Sequence, residues 1–229
     1  MSDDKLATLE KQVTQLRHEL GILQDIRDIT SLHYKYGYYA DKCLYEEVVE
    51  LFADDSQVLW RNGVWKGKAG ARRLYCDWYG RQFAGGHNFP PHGFLVDHLQ
   101  MQDIVDVAPD RMSAKARFRC FLQVGTHASN GQARAGGMQQ FWESGIYENA
   151  YVKEGGFWKV KSHNYNLVWQ AAYEQGWARG GELVPPLTKT FPDDPAGPDQ
   201  LLPNRPAVWP SPSVVPFHYP HPVTGKPWD

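Results

Sequence analysis

Four long stretches between Leu95 and Trp169 alternate apolar and polar residues, and they constrain the fold more than anything else in the chain. LVDHLQMQDIVDVA alternates in part and SAKARFRCFLQVGTH alternates clearly. FWESGIYENAYVKEG and FWKVKSHNYNLVW follow. Period-two alternation sends successive side chains to opposite faces, so each stretch reads as a strand with one dry face. Gly155-Gly156 reads as the hairpin turn between the last two. The segments upstream are helical in pattern. Helices first and then a meander of long strands is the order of an α+β domain with a curved, largely antiparallel sheet.

The helical half begins with the clearest signal. Across residues 4–28, Leu6, Leu9, Val13, Leu16, Leu20 and Leu23 recur at spacings of three and four, a heptad seam with polar residues on the other faces. Three heptads alone make a marginal coiled coil, so a self-associating chain would use its globular part as well. Residues 29–43 read as a second, Tyr-rich helix. Residues 44–53 read as a third, with Glu46, Glu47 and Glu50 wet and Val48, Val49, Leu51 and Phe52 dry. A short strand is expected over 56–60, a turn between Gly63 and Gly67, and a helix over 68–83. AGGHNFPPHGF (84–94) cannot extend a helix and reads as a loop.

Thirteen of the sixteen prolines lie in residues 185–229, which excludes regular structure there. That segment nevertheless keeps Phe191, Trp209, Phe217, Tyr219 and Trp228, more aromatics than a disordered linker carries. It reads as an extended tail that wraps over the domain or over a neighbouring subunit. The organisation is then a heptad helix (1–28), a globular domain (29–180) and a Pro-rich tail (181–229).

Composition removes several function classes. A net charge of −2 and a pI near 6.5, with Lys and Arg scattered, give no basic face for nucleic acid. Cys43, Cys76 and Cys120 are too few and too scattered for a disulfide framework and read as reduced, buried thiols. The opening Met-Ser-Asp-Asp-Lys, followed by charged heptads, is no secretory signal, and no apolar run is long enough to cross a membrane. The expected address is the cytoplasm. GxGxxG, P-loop and GxSxG motifs are missing. His87, His92 and His98 match no common zinc or facial-triad spacing, so no metal or other cofactor is expected.

Asp41 stands out among the candidate reacting groups. It sits in YGYYADKC, at an otherwise largely apolar helical position, where a carboxylate is costly unless it is paired or used. On a helix Tyr34, Gly37 and Tyr38 share its face. His98, in LVDHLQMQDIVDV, could relay a proton at neutral pH, with its tautomer set by a neighbouring carboxylate. In the last strand His163 and Tyr165 share one face and Asn164 and Asn166 the other; alternation alone does not choose between them. Tyr147 could donate to a substrate oxygen. The aromatic load is 14% with nine Trp, and the surround of Tyr34, Tyr36, Tyr38, Tyr39, Trp78, Phe89, Phe94 and Trp142 suits a flat, largely apolar ligand carrying a few oxygens.

The run YGYYADKCLYEEVVELFADDSQVLW (36–60) resembles the start of the SnoaL-like branch of the NTF2-like superfamily, and the likeness extends over about residues 28–172. The resemblance implies a cone of curved sheet and helices with an acid/base pair inside. In this family the reacting acid lies about ten positions before the Leu-Phe pair of the next helix, as Asp41 does before Leu51. Related strands carry a His, three residues, a polar amide and an apolar alternation, which fall here on His98, Gln102, Val105 and Val107. The dyad of cofactor-free dehydratases and dehydrochlorinases would then be Asp41–His98. An amide on the last strand of scytalone dehydratase-like proteins points to Asn166.

The chain also resembles, within this family, cofactor-independent lyases of bacterial lignin catabolism that release formaldehyde from a diarylpropane diol and leave a stilbene. That likeness implies Asp41, His98 and Tyr39 at the reaction, with Tyr34, Tyr38, Trp78, Phe94, Tyr147, His163 and Asn166 around a small aromatic substrate, and a homo-oligomer (dimer or trimer). Dehydration or isomerisation of a polyketide- or steroid-like substrate would use the same groups. A non-catalytic ligand-binding module and an accessory subunit of a ring-hydroxylating dioxygenase share the fold and are the alternatives.

Overall fold

The structure, a computed structural model, describes residues 3–130, 140–205 and 207–228. Helix α1 (Asp3–Asp41) is a single rod of 39 residues, not the two helices expected over 4–28 and 29–43. It contains no proline, and glycine alone does not stop a helix that packing supports. Its N-terminal half stands clear of the domain, with Leu16 62% and Leu23 63% exposed. Its C-terminal half buries Ile29, His33, Tyr36 and Ala40 at spacings of three and four against the sheet. The helix ends where Cys43 turns left-handed (φ 50°) and the Leu44 N–H closes on the Tyr39 carbonyl at 2.9 Å.

Helix α2 (Tyr45–Glu50) stops short of the helix expected over 44–53, because Phe52 already belongs to strand β1 (Phe52–Trp60). There the Val160 N–H reaches the Leu51 carbonyl at 2.8 Å, so sheet pairing overrides the local helical pattern. The stretch expected as a turn between Gly63 and Gly67 is strand β2 (Gly63–Lys66); the chain reverses one step earlier, at Arg61 (φ 55°). Helix α3 (Gly67–Arg72), a π-helical stretch (Arg73–Tyr79) and α4 (Gly80–Phe83) follow as one continuous run.

Strands β3 (Phe94–Val107), β4 (Ser113–Thr126), β5 (Gln140–Glu154) and β6 (Phe157–Ala172) form the meander. With β7 (Gln200–Leu201) the sheet order is β3-β4-β5-β6-β1-β2-β7, antiparallel throughout except for the β1–β6 pair. β7 is a short strand inside the Pro-rich segment expected to hold none; neither of its residues is a proline, so both can pair with β2. This is the expected α+β cone. Its inner face carries one cross-strand row of functional interest: His98 pairs with Leu122, Leu122 with Glu143, and Glu143 with Gln170.

Two features tie the extensions to the cone. Asp25 of α1 accepts hydrogen bonds from Arg111 Nε (2.6 Å), Lys153 Nζ and Trp158 Nε1 (3.0 Å). Burial alone would raise its carboxyl, but these donors and the Lys153 charge outweigh it and hold it at about 2. The Pro-rich segment lies on its own domain. Ala196 O accepts from the fully buried Trp65 indole (3.1 Å), Asp199 receives the Lys66 N–H (2.7 Å) and pairs with Arg73, and the Val215 and Pro216 carbonyls accept from Arg117.

Candidate active site

Asp41 is the last residue of α1, and its side chain is only 9% exposed. His98 projects inward from β3, since Phe94, Val96 and His98 share the sheltered face. One carboxylate oxygen, Asp41 Oδ1, accepts both the His98 backbone N–H (3.0 Å) and the ring Nδ1 (2.6 Å). A carboxylate against Nδ1 assigns the proton to that nitrogen and leaves Nε2 as a lone-pair acceptor. Two contacts from one residue also fix the imidazole relative to the end of the helix.

His98 lines a cavity of about 380 Å3. Tyr36 and Ala40 of α1 form one wall. The π-helical stretch turns Leu74, Tyr75, Trp78 and Tyr79 inward as a roof, with Phe83 stacked on Phe94 at 5.7 Å. Trp60 meets Trp78 at 4.9 Å. Tyr147 and His163 close the deep end, with ring centroids 4.9 Å apart. Burial drives the His163 pKa well below the usual histidine range, reinforced by His33 and His98, so its imidazole is neutral. Burial likewise raises the Tyr147 hydroxyl far above the ordinary tyrosine value, which keeps it a proton donor.

The row through the sheet brings in a carboxylate that sequence reasoning missed. Glu143 accepts from Tyr165 Oη at 2.6 Å and from Gln170 Nε2 at 2.5 Å. Burial raises its carboxyl, opposed by those two donors and by His98 when that ring is protonated. The signal was present: 141, 143, 145, 147, 149 and 151 alternate onto one face of β5, so the alternation that directed Tyr147 inward placed Glu143 there too. Gly145, between them, leaves room for the Tyr165 ring; a Cβ there would sit 2.3 Å from it.

The predicted residues divide. Asp41 and His98 come together, and Trp78, Phe94, Tyr147, His163 and Asn166 line the same cavity. Tyr34, Tyr38 and Tyr39 do not line it. The helix presents Tyr36 and Ala40 instead, and Tyr38 is 75% exposed. The i−3 and i−7 positions share a stripe with Asp41, but the line of closest approach to the sheet runs through residues 29, 33, 36 and 40 and leaves Tyr38 on the far side. Phe89 is exposed, and Trp142 stacks on Tyr173 on the outer face of the sheet. On the last strand the His163/Tyr165 face carries the rings. Asn166 touches the cavity, with its amide directed at the carbonyls of Ile146 and Asn164 (3.4 Å each). Among the described residues no three His, Cys, Asp or Glu side chains cluster as metal ligands would, and no helix is long and apolar enough to cross a membrane.

Comparison with known proteins bears on this geometry. The SnoaL-like domain family matches residues 21–164. A candidate scytalone dehydratase from Novosphingobium aromaticivorans DSM 12444 superposes with a TM-score of 0.53 at 20% identity, over 67% of this chain and 90% of that one. LinA superposes with a TM-score of 0.54 at 17% identity, over 74% and 99%. The hexachlorocyclohexane dehydrochlorinase LinA-type3 from Novosphingobium barchaimii LL02 gives 0.53 at 17%, over 73% and 99%. At these identities the superpositions establish a shared fold. No curated protein matches the chain in sequence.

Proposed function

This chain belongs to the SnoaL-like domain family, and from that premise we propose that it is a cofactor-independent lyase acting on a small aromatic substrate by acid–base catalysis. The observation that carries the reading is the 2.6 Å Asp41–His98 contact at the wall of a cavity lined by aromatic rings. A histidine so held is a general base positioned before it is tuned, and the carboxylate stabilises the imidazolium that forms. Proteins that share the fold are named as a dehydrochlorinase and as a candidate scytalone dehydratase, both names for the removal of a small molecule from neighbouring carbons.

The substrate we propose is a lignin-derived diarylpropane diol, converted to a stilbene with release of formaldehyde. His98 Nε2 takes the proton of the primary hydroxyl. The bond between that carbinol carbon and the ring-bearing carbon breaks, and formaldehyde leaves. The freed electron pair forms the stilbene double bond as the benzylic hydroxyl departs, protonated by the imidazolium, as water. Atoms and electrons balance with no oxidant, reductant or metal. In this reading Tyr147 hydrogen-bonds a substrate oxygen, and Trp78 and Phe94 flank a ring. Plain dehydration would use the same couple.

Two apolar features support a homo-oligomer: the exposed heptad seam of α1, and the outer sheet face where half-buried Phe121, Trp142 and Trp169 meet the exposed Tyr173 and Trp177. The test is incubation of metal-free protein with lignin-type diols, following stilbene absorbance and formaldehyde. Equimolar products are expected. No turnover of any diol, or activity that appears only on adding metal, would remove the reading.

A further inference from the structure

The rim of the cavity holds an arrangement that proton transfer does not use. Arg61 lies in the β1–β2 turn at φ 55°, a left-handed conformation that a non-glycine residue adopts at a cost. Its guanidinium rests against the Trp60 ring at 5.2 Å and lines the cavity. Among the described residues it has no carboxylate partner, and its Nε is buried without a hydrogen bond. The charge of Glu182 acts on it, but Glu182 already pairs with Arg205. Glu182 keeps a second orphan, Oε1, also buried and unbonded. Two cations therefore face one anion at the cavity wall, a local excess of one positive charge.

Burial of an unpaired guanidinium is costly unless something completes it. Desolvation lowers the Arg61 pKa, the direction expected for a cation lacking a counter-charge. The place of the cluster is informative. Gln170, the end of the row that begins at His98, bridges Gly181, the residue before Glu182. Arg61 follows β1, on the other side of β6. His98 and Arg61 thus line one cavity from strands that β4, β5 and β6 separate in the sheet. Glu182 and Arg205 both come from beyond the family-matched region, so the C-terminal segment frames an arginine that lies within that region.

We propose that Arg61, framed by the Glu182–Arg205 pair, binds an anionic oxygen, a carboxylate or a phenolate, on the aromatic ring farthest from His98. The inference rests on the proposed function only in taking the cavity ligand to be aromatic. A guanidinium fork matches a carboxylate in two parallel hydrogen bonds and a phenolate in one, and the Glu182 orphan accepts from a neutral phenol. The subsite would set the orientation of the ligand and select against rings that lack an ionisable oxygen.

Calorimetric titration with three probes tests it: stilbene-4-carboxylate, 4-hydroxystilbene at pH 7 and pH 10, and 4-methoxystilbene. The carboxylate should bind about tenfold to a hundredfold more tightly than the methoxy ligand. A gain for the hydroxystilbene between pH 7 and pH 10 identifies phenolate, and a carboxylate-only gain identifies carboxylate. Arg61→Met should erase the preference and leave methoxystilbene within about twofold, and Arg61→Lys should keep part of it. Equal affinities for all three probes on the wild-type protein overturn the subsite, whether or not the variant folds, and so does a preference that survives Arg61→Met. The wild-type protein separates the two readings. If it shows the anion preference but turns over no diol, the lyase falls and the subsite stands. If it turns over diols with no anion preference, the reverse holds. If no probe binds, the subsite falls and diol turnover alone decides the lyase.

Discussion

Acidification from pH 7 to pH 5 should destabilise this protein through two histidines that the cone holds neutral. His33 is 1% exposed, stacks on Phe118 at 3.7 Å, and meets Gln100 Oε1 through Nε2 at 2.9 Å. Burial lowers its pKa to about 3, against a weaker opposing pull from Gln100 and Asp103. His163 is lowered well below 6.5 by burial and by its histidine neighbours. Both folded values lie under the unfolded value, so the unfolded chain binds protons that the folded chain refuses. Stability is then fully present above pH 6.5 and falls as pH drops below it, by about 1.4 kcal/mol per pH unit per histidine. Between pH 7 and pH 5 each costs about 2 kcal/mol, or about 4 for the pair. Glu143 works in the opposite direction, since a raised carboxyl gains on protonation, while Asp25 keeps its charge to about pH 2 and contributes no slope at pH 5. The assay is urea unfolding at half-unit pH steps, with an expected midpoint shift of about 1.5 M for the pair. His33→Gln, and separately a His163→Gln variant, should each remove about one proton from the pH slope whatever they do to absolute stability. If neither variant changes the slope by even half a proton, the claim that these imidazoles are buried and neutral is wrong.

Four further outcomes are expected. Asp41→Asn keeps the shape but removes the charge that steadies the His98 imidazolium; kcat on a diol should fall by about a hundredfold to ten-thousandfold, and a loss under threefold would remove Asp41 from the chemistry. Gly145→Ala puts a Cβ 2.3 Å from the Tyr165 ring, so it should displace Tyr165 from Glu143 and lower stability by about 1–3 kcal/mol, read by thermal unfolding. Truncation after Gly180 strips β7 and leaves the Trp65 indole and Arg73 without Ala196 and Asp199; chemical denaturation should show a loss of about 3 kcal/mol or more. Leu16→Lys with Leu20→Lys changes only side chains exposed in the protomer, so light scattering should show a smaller assembly while circular dichroism stays unchanged.

The sheet was legible in the sequence because strand alternation is a local property. Each of the four long stretches declares its own two faces, and Gly155-Gly156 declares its turn, without knowledge of the partner strands. The same parity sends His98 and Tyr147 inward, and it would have revealed Glu143 had it been followed along β5. The likeness to the SnoaL-like family supplied the pairing of Asp41 with His98, which residue spacing alone does not contain. Tertiary structure decided the rest. Which stripe of α1 faces the cavity depends on where the helix lies against β3, and that choice put Tyr36 inside and Tyr38 in solvent. The end of α2 depended on β6, whose Val160 lies far beyond Phe52 in the chain and whose hydrogen bonds outcompete a weak helical pattern. The Pro-rich segment has no periodicity to read, yet it supplies Glu182 and Arg205 to the cavity rim. Contacts between residues far apart in the chain leave no local trace, so only the folded chain brings Arg61 to meet them.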